Sequence, residues 1–139
     1  MSEIPNGETL FKYVYPAAFP DDQEDIPISI FHIKDLSCDW MKYRPDPFTS
    51  FHIDEGKTIV IAINVCEEIK HPRNPKNNGK IEEAWQQKVI HQPVSEEEDP
   101  KHGANYAHSL ILGKKKMPVQ EAIKDNSTIY GRATSDDKG

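Results

Sequence analysis

The stretch KTIVIAINVCEEI, residues 57–69, decides the fold class. Its branched apolar residues recur with a period of two, and most residues between them are apolar as well. One face carries Ile59, Ile61, Ile63 and Val65, and the other carries Val60, Ala62 and Cys66. A period of two is typical of a β-strand, and two apolar faces indicate a strand that is covered on both sides. The stretch therefore predicts an interior strand.

Two later stretches alternate in the same way. AWQQKVIHQPV, residues 84–94, alternates until Pro93, which cannot donate to a β-ladder. NYAHSLIL, residues 105–112, places Tyr106, His108, Leu110 and Leu112 on one face and ends at Gly113. Its aromatic and branched residues favour a strand. These stretches predict two further strands, which would be neighbours if they form one hairpin.

The remaining elements are shorter. PISIFHI, residues 27–33, predicts a short strand, and MPVQEAIKD, residues 117–125, predicts a helix with Pro118 in its first turn. Residues 38–51 follow neither period, so we expect this segment to wrap the core with its aromatic side chains turned inward. The pattern as a whole predicts an α+β domain, with a small antiparallel sheet of three to five strands and one or two short helices.

Charge is unevenly distributed along the 139 residues. The chain has a net charge of -6, and residues 1–26 hold six acidic side chains but only one basic side chain. We predict an acidic N-terminal segment over 1–26, a single domain over 27–125 and a polar C-terminal tail over 126–139. The acidic segment is interpreted either as a solvated tail or as a segment that covers a basic surface of this or another chain.

The sequence also predicts the cellular environment. The start lacks a basic leader with an apolar run, and the longest apolar run, residues 59–63, is too short to span a membrane. The two cysteines, Cys38 and Cys66, have no CxxC spacing. We therefore expect a cytoplasmic protein with reduced cysteines and no membrane association.

Two of the six histidines are candidates for chemistry. If residues 85–93 and 105–112 pair symmetrically about the loop between them, His91 stands opposite His108 on one face. Two adjacent imidazoles could act as an acid–base pair in cleaving a phosphodiester. The loop is too long for any turn rule to fix the register, so a histidine that packs at a strand edge is the alternative. His32 and His52 are interpreted as partial core or surface residues.

No cofactor or metal is expected. His91 and His108 could supply two metal ligands, but Cys38 and Cys66 are not spaced to complete a zinc site. The chain contains no Walker loop, GxGxxG, HExxH, GxSxG or EF-hand series.

Two basic stretches could contact phosphate or a partner. They lie at residues 70–80 and directly after the last predicted strand, and comprise Lys70, His71, Arg73, Lys76, Lys80, Lys114, Lys115 and Lys116. Neither stretch contains an aromatic residue, and the rest of the chain has no basic excess. A general nucleic-acid binder is therefore not expected, and nucleic acid could make contact only through these local basic loops.

Two functions follow from these patterns. The first is a small non-enzymatic interaction protein, a subunit, adaptor or inhibitor of the kind found in bacterial or phage conflict and regulatory systems. Trp40, Tyr43 and Arg44 would anchor its protein partner, since these residue types dominate interfaces. The alternative is a small histidine-dependent phosphodiesterase, ribonuclease or nucleotide-handling enzyme that uses His91 and His108.

Overall fold

The computed structural model describes residues 2–15, 25–54 and 58–133. These residues form nine strands, two α-helices and several single turns of 3-10 helix. The strands and helices are, in chain order, β1 (Ser2–Glu3), β2 (Thr9–Val14), β3 (Asp35–Trp40), β4 (Ile59–Asn64), α1 (Glu67–Lys70), β5 (Arg73–Asn74), β6 (Lys80–Ile81), β7 (Lys88–His91), β8 (His108–Leu112), α2 (Met117–Asp125) and β9 (Ser127–Arg132).

Seven of the strands form one antiparallel sheet in the order β1-β7-β8-β3-β2-β4-β9, and β5 pairs with β6 in a separate hairpin. The α+β class and the antiparallel sheet are confirmed, but the sheet has more strands than the three to five predicted. As predicted, β4 is an interior strand, since it pairs with β2 on one side and β9 on the other.

One face of the sheet carries the main core. Ile59, Ile61 and Ile63 of β4 point to this face and are buried there. The face is closed by Val119 and Ile123 of α2 and by a 3-10 turn over Ile28–Phe31. The helix predicted over 117–125 is confirmed at those bounds.

The opposite face is polar in its middle and apolar towards β9. Phe11 of β2 is fully buried there, and its ring lies 4.9 Å from that of Tyr130 in β9. Phe48, in a 3-10 turn over Pro47–Thr49, lies 6.2 Å from Tyr130. The segment after β3 therefore covers this second face, which explains why both sides of β4 are apolar in sequence.

Three local predictions are wrong. Residues 27–33 contain the 3-10 turn Ile28–Phe31 rather than a strand, because burying both Ile30 and Phe31 beside α2 requires neighbouring residues to turn to one side. Residues 38–40, at the start of the segment assigned to an aperiodic wrap, belong to β3. Within that wrap Trp40 is buried as predicted, whereas Tyr43, Phe48 and Phe51 each remain more than a third exposed.

The predicted segment boundaries do not delimit the sheet. β2 precedes residue 27 and β9 follows residue 125, and both are hydrogen-bonded to β4. Three of the acidic side chains of residues 1–26 contact residues outside that segment. Glu3 lies 3.3 Å from Lys70 Nζ, Glu8 accepts the indole N–H of Trp40 at 2.9 Å, and Asp25 lies 3.0 Å from Lys124 Nζ. Asp21, Asp22 and Glu24 lie outside the described residues.

Within the described ranges, no helix is both long and apolar enough to cross a membrane. Cys38 and Cys66 are free thiols, and Cys38 is buried.

Candidate functional site

The register between β7 and β8 separates the two candidate histidines. His91 pairs with Ser109 rather than with His108. Because side chains alternate across a strand, this one-residue difference places His91 on the core face and His108 on the opposite face. The predicted pairing of the two imidazoles is therefore wrong, for the physical reason that the long loop did not constrain the register.

His91 is a structural residue. It is buried, and its Nε2 donates a hydrogen bond of 2.6 Å to the backbone oxygen of Tyr106. Its ring stacks on Tyr43 with centroids 4.9 Å apart and meets the edges of Trp40 and Tyr106 at 5.2 and 5.0 Å. The imidazole is thus held in an aromatic cluster with no exposed face.

The three residues predicted to anchor a partner, Trp40, Tyr43 and Arg44, differ in how exposed they are and in where they lie. Trp40 is buried in the core, whereas Tyr43 is 40% exposed and meets Tyr106, 60% exposed, edge to face at 4.7 Å. Lys42 Nζ lies 5.4 Å from the centre of the Tyr43 ring. Arg44 turns back under the second face of the sheet, where its Nε lies 2.9 Å from Asp39 Oδ2.

His108 forms a hydrogen-bonded pair with Ser37 of β3. His108 Nδ1 lies 2.7 Å from the backbone oxygen of Gln92, and Nε2 lies 2.7 Å from Ser37 Oγ. A carbonyl oxygen can only accept, so Nδ1 carries the proton. In the neutral ring Nε2 is then an acceptor, and the Ser37 hydroxyl donates to it.

The pair borders a cleft of about 210 Å³ on the second face of the sheet. The other side chains of its wall are Phe51, His52, Val94, Asp99 and Asn105. His52 stacks on Tyr13 with ring centroids 5.0 Å apart, and burial lowers the pKa of its imidazole. Because this shift opposes protonation, His52 is held neutral near pH 7.

A buried polar network lies beside this cleft. Asp39 follows Ser37 by two residues on β3, so it lies on the same face of the sheet. Its carboxylate accepts hydrogen bonds from Tyr13 Oη and from Asn105 Nδ2, both at 2.8 Å. Arg44 completes the network, with Nη2 donating to Asn105 Oδ1 at 3.2 Å. Burial, and then the charge of Asp39, raise the pKa of the Tyr13 hydroxyl, so it remains a donor. The network fixes the loop that carries Asn105 against the strand that carries Ser37.

The basic stretch 70–80 does not approach His108. Lys70 is buried and donates to the backbone oxygen of Ile4 at 2.7 Å, and His71 Nε2 lies 3.6 Å from Glu67. Arg73 donates to the backbone oxygen of Gly79 at 3.0 Å, and Lys76 and Lys80 are exposed on the β5–β6 hairpin. Arg73 also borders a cleft of about 370 Å³ against α2, whose other charged residues are Glu68, Glu121 and Asp125.

The second basic stretch is also remote, because Lys114–Lys116 follow the end of β8 that lies away from His108. Lys114 is six positions after His108 along the strand and its end, which corresponds to roughly 20 Å of extended chain. Lys115 Nζ donates to the backbone oxygens of Lys34, Ile111 and Gly113 at 2.8–2.9 Å. Lys114 and Lys116 are exposed. The structure therefore brings none of the predicted phosphate contacts to the cleft.

Sequence reasoning missed Ser37, Asp39 and His52. The first two could have been found, because Leu36, Cys38 and Trp40 alternate with Ser37 and Asp39 through residues 36–40. His52 carries no such signal, since only the tertiary fold brings its loop over β3. Over the described ranges, no three His, Cys, Asp or Glu side chains converge on a position that could hold a metal ion.

Because His91 is buried and His108 is not, replacing each should change the free energy of unfolding by a different amount. We expect His91→Ala to lower the free energy of unfolding by about 2–4 kcal/mol, because it leaves a cavity and removes a buried hydrogen bond. His108→Ala, at a half-exposed position, should cost at most about 1.5 kcal/mol. Urea unfolding followed by tryptophan fluorescence gives both values. Equal losses would contradict the placement of the two rings.

No family model, curated protein or solved structure matches the chain.

Proposed function

We propose that the protein is a small interaction protein that binds a partner through the tyrosine surface, defined as Lys42, Tyr43 and Tyr106. The observation that supports this is the exposure of two mutually packed tyrosines on a rigid base. Tyr43 and Tyr106 are 40% and 60% exposed, yet both rings contact the buried imidazole of His91. Rigid, exposed aromatic rings bury a large area on binding at low entropic cost, which is typical of interface anchors.

The charge beside this surface indicates the partner. Asn105, which precedes Tyr106, pairs with Val94, and the chain continues from Val94 into Ser95, Glu96, Glu97, Glu98 and Asp99. Glu96 and Glu97 are exposed. The four acidic side chains of this acidic rim, residues 96–99, outnumber Lys42, the one cation of the tyrosine surface. The balance of charge therefore complements a protein segment that presents lysine or arginine around an apolar residue. We therefore propose a basic protein segment as the occupant.

The alternative proposed from the sequence, phosphodiester cleavage by His91 and His108, is supported less well. Its second imidazole lies on the other face of the sheet, and the wall of the His108 cleft contains no lysine or arginine among the described residues. A phosphate substrate would need such a cation to offset its charge.

The proposal is tested by affinity capture from the native organism, followed by titration of the recovered partner. We expect Tyr43→Ser with Tyr106→Ser to weaken binding at least tenfold. Glu96→Lys with Glu97→Lys should slow association and reduce its dependence on salt, because rim charges steer the encounter. The double lysine variant keeps the test valid if removing the tyrosines disturbs His91.

Matched controls come from the same chain. Tyr15 is exposed at the far end of β2, and Glu83 is exposed outside the acidic rim. Tyr15→Ser and Glu83→Lys should bind like the wild type. A partner that binds all four variants equally, or the absence of any stoichiometric partner, would overturn the proposal.

A further inference from the structure

We propose that Ser37 and His108 are the nucleophile and general base of a site that cleaves small neutral carboxylic esters. This activity goes beyond the binding function and uses a different part of the surface. The nucleophile lies within hydrogen-bond reach of the base, with Ser37 Oγ 2.7 Å from His108 Nε2. The base is oriented by a third group, since its Nδ1 donates to the backbone oxygen of Gln92 at 2.7 Å. This is the arrangement by which proteins activate a hydroxyl.

The tautomer of His108, as well as its distance from Ser37, suits the role of a general base. The bond to a carbonyl holds the proton on Nδ1, so the lone pair of Nε2 points at the Ser37 hydroxyl. His91 has the opposite arrangement, with Nε2 donating to a carbonyl and the ring buried. Of these two histidines, only His108 can take a proton from a hydroxyl that a substrate can reach.

Ser37 is accessible to a substrate. Its side chain is exposed, and it forms part of the wall of the 210 Å³ cleft together with His108. A cleft of this size holds a small acyl group and not a large ligand, since sites for drug-sized molecules begin at about 300 Å³. Phe51 and Val94 provide apolar contacts for that group.

The charges of the cleft select a neutral substrate. Asp99 is the only charged side chain of the wall among the described residues, and it lies 3.1 Å from His102 Nδ1. Asp39 lies directly beneath, already neutralised by Arg44. Neither group would attract a phosphate or a carboxylate. Lys12 borders only the smaller adjoining cavity, of about 60 Å³, that also contains Ser37 and His52. The carbonyl of an uncharged ester is therefore the electrophile that fits the larger cleft.

The reaction requires only Ser37, His108, the ester and a water molecule. Ser37 Oγ attacks the carbonyl carbon while His108 Nε2 takes the hydroxyl proton, and the bond between the carbonyl carbon and the alcohol oxygen breaks. His108 returns the proton to the departing alcohol, leaving an ester between the acyl group and Ser37. Water then attacks that ester as His108 takes its proton, the carboxylic acid leaves, and the proton returns to Ser37 Oγ.

His52 lines the same wall as Ser37 and His108, which makes it the side chain that we assign to donate to the oxyanion. The amide of Asn105 is engaged by Asp39, whereas the His52 ring forms no hydrogen bond to any other described side chain. A neutral imidazole retains one N–H donor. Removing one such donor from an oxyanion site slows acyl transfer by about 10²–10³.

The test is covalent labelling of the folded protein with an alkyl fluorophosphonate. The serine oxygen displaces fluoride from phosphorus, so the protein gains one phosphonyl group that intact mass and peptide mass spectrometry can locate. We expect modification at Ser37, none in Ser37→Ala, and labelling at least about 100-fold slower in His108→Gln, since a general base contributes about 10²–10⁴. Hydrolysis of p-nitrophenyl acetate should fall in parallel, and His52→Gln should slow it too.

Ser29→Ala is the matched control, because Ser29 is an exposed serine remote from the cleft. It should label and hydrolyse like the wild type. Folding of each variant is checked by thermal unfolding, and Ser37→Ala, at an exposed position, should leave it unchanged. Wild-type protein that is folded but unlabelled at Ser37, or labelled equally fast in His108→Gln, would overturn the proposal. Neither result bears on the tyrosine surface.

Discussion

Asp39→Ala is expected to destabilise the protein by about 3–5 kcal/mol. The carboxylate is fully buried and accepts hydrogen bonds from Tyr13 and Asn105 while it lies 2.9 Å from Arg44 Nε. Removing one member of a buried ionic network leaves the others uncompensated, which costs more than the network contributed. Here the guanidinium of Arg44 and the amide of Asn105 would lose their partner together.

Chemical denaturation measures this loss, with Asp35→Ala as the control. Asp35 lies four residues earlier on β3, on the same face of the sheet, but it is exposed. Its replacement should change the free energy of unfolding by no more than about 0.5 kcal/mol. Similar losses for the two variants would show that Asp39 is not the centre of a buried network.

Gly113→Ala is expected to cost about 2–5 kcal/mol. Gly113 has a φ of +152°, which residues other than glycine rarely adopt. A Cβ at this position would lie 2.7 Å from the backbone oxygen of Gln86 and 2.7 Å from Gln87 Nε2. Gln87 cannot easily move, because its Nε2 already donates to the backbone oxygens of Trp85 and Lys114. Backbone strain and overpacking each contribute about 1–3 kcal/mol.

Gly103→Ala separates the two causes. Gly103 has a φ of +81°, but a Cβ there would have no neighbour within 4 Å. Its replacement should cost only the backbone strain, about 1–2 kcal/mol. A Gly113 variant that is no less stable than the Gly103 variant would contradict the close packing of the end of β8 against residues 86–87.

The elements with strong periodicity could be predicted from sequence. β4 and α2 combine a regular apolar pattern with packing that agrees with it, so local and tertiary preferences coincide. β3 was missed although Ser37 and Asp39 alternate with Leu36, Cys38 and Trp40. The alternation covers only five residues and continues directly into an aperiodic segment, so the strand was grouped with that segment.

The candidate site depended on a quantity that the sequence did not contain. A long loop joins β7 and β8, so the register between them follows from packing across the sheet and not from turn geometry. A difference of one residue transfers His108 from the face of His91 to the face of Ser37. His52 could not be assigned to the site either, because its loop reaches the cleft only in the folded chain.

The most direct test of this account is the tautomer of each histidine, read from the ¹⁵N chemical shifts of the imidazole nitrogens at a pH where the rings are neutral. The account predicts opposite states: His108 protonated on Nδ1, with Nε2 accepting from Ser37, and His91 protonated on Nε2. Ser37→Ala should shift the Nε2 signal of His108 and leave that of His91 unchanged. His108 protonated on Nε2 in the wild type would contradict the account.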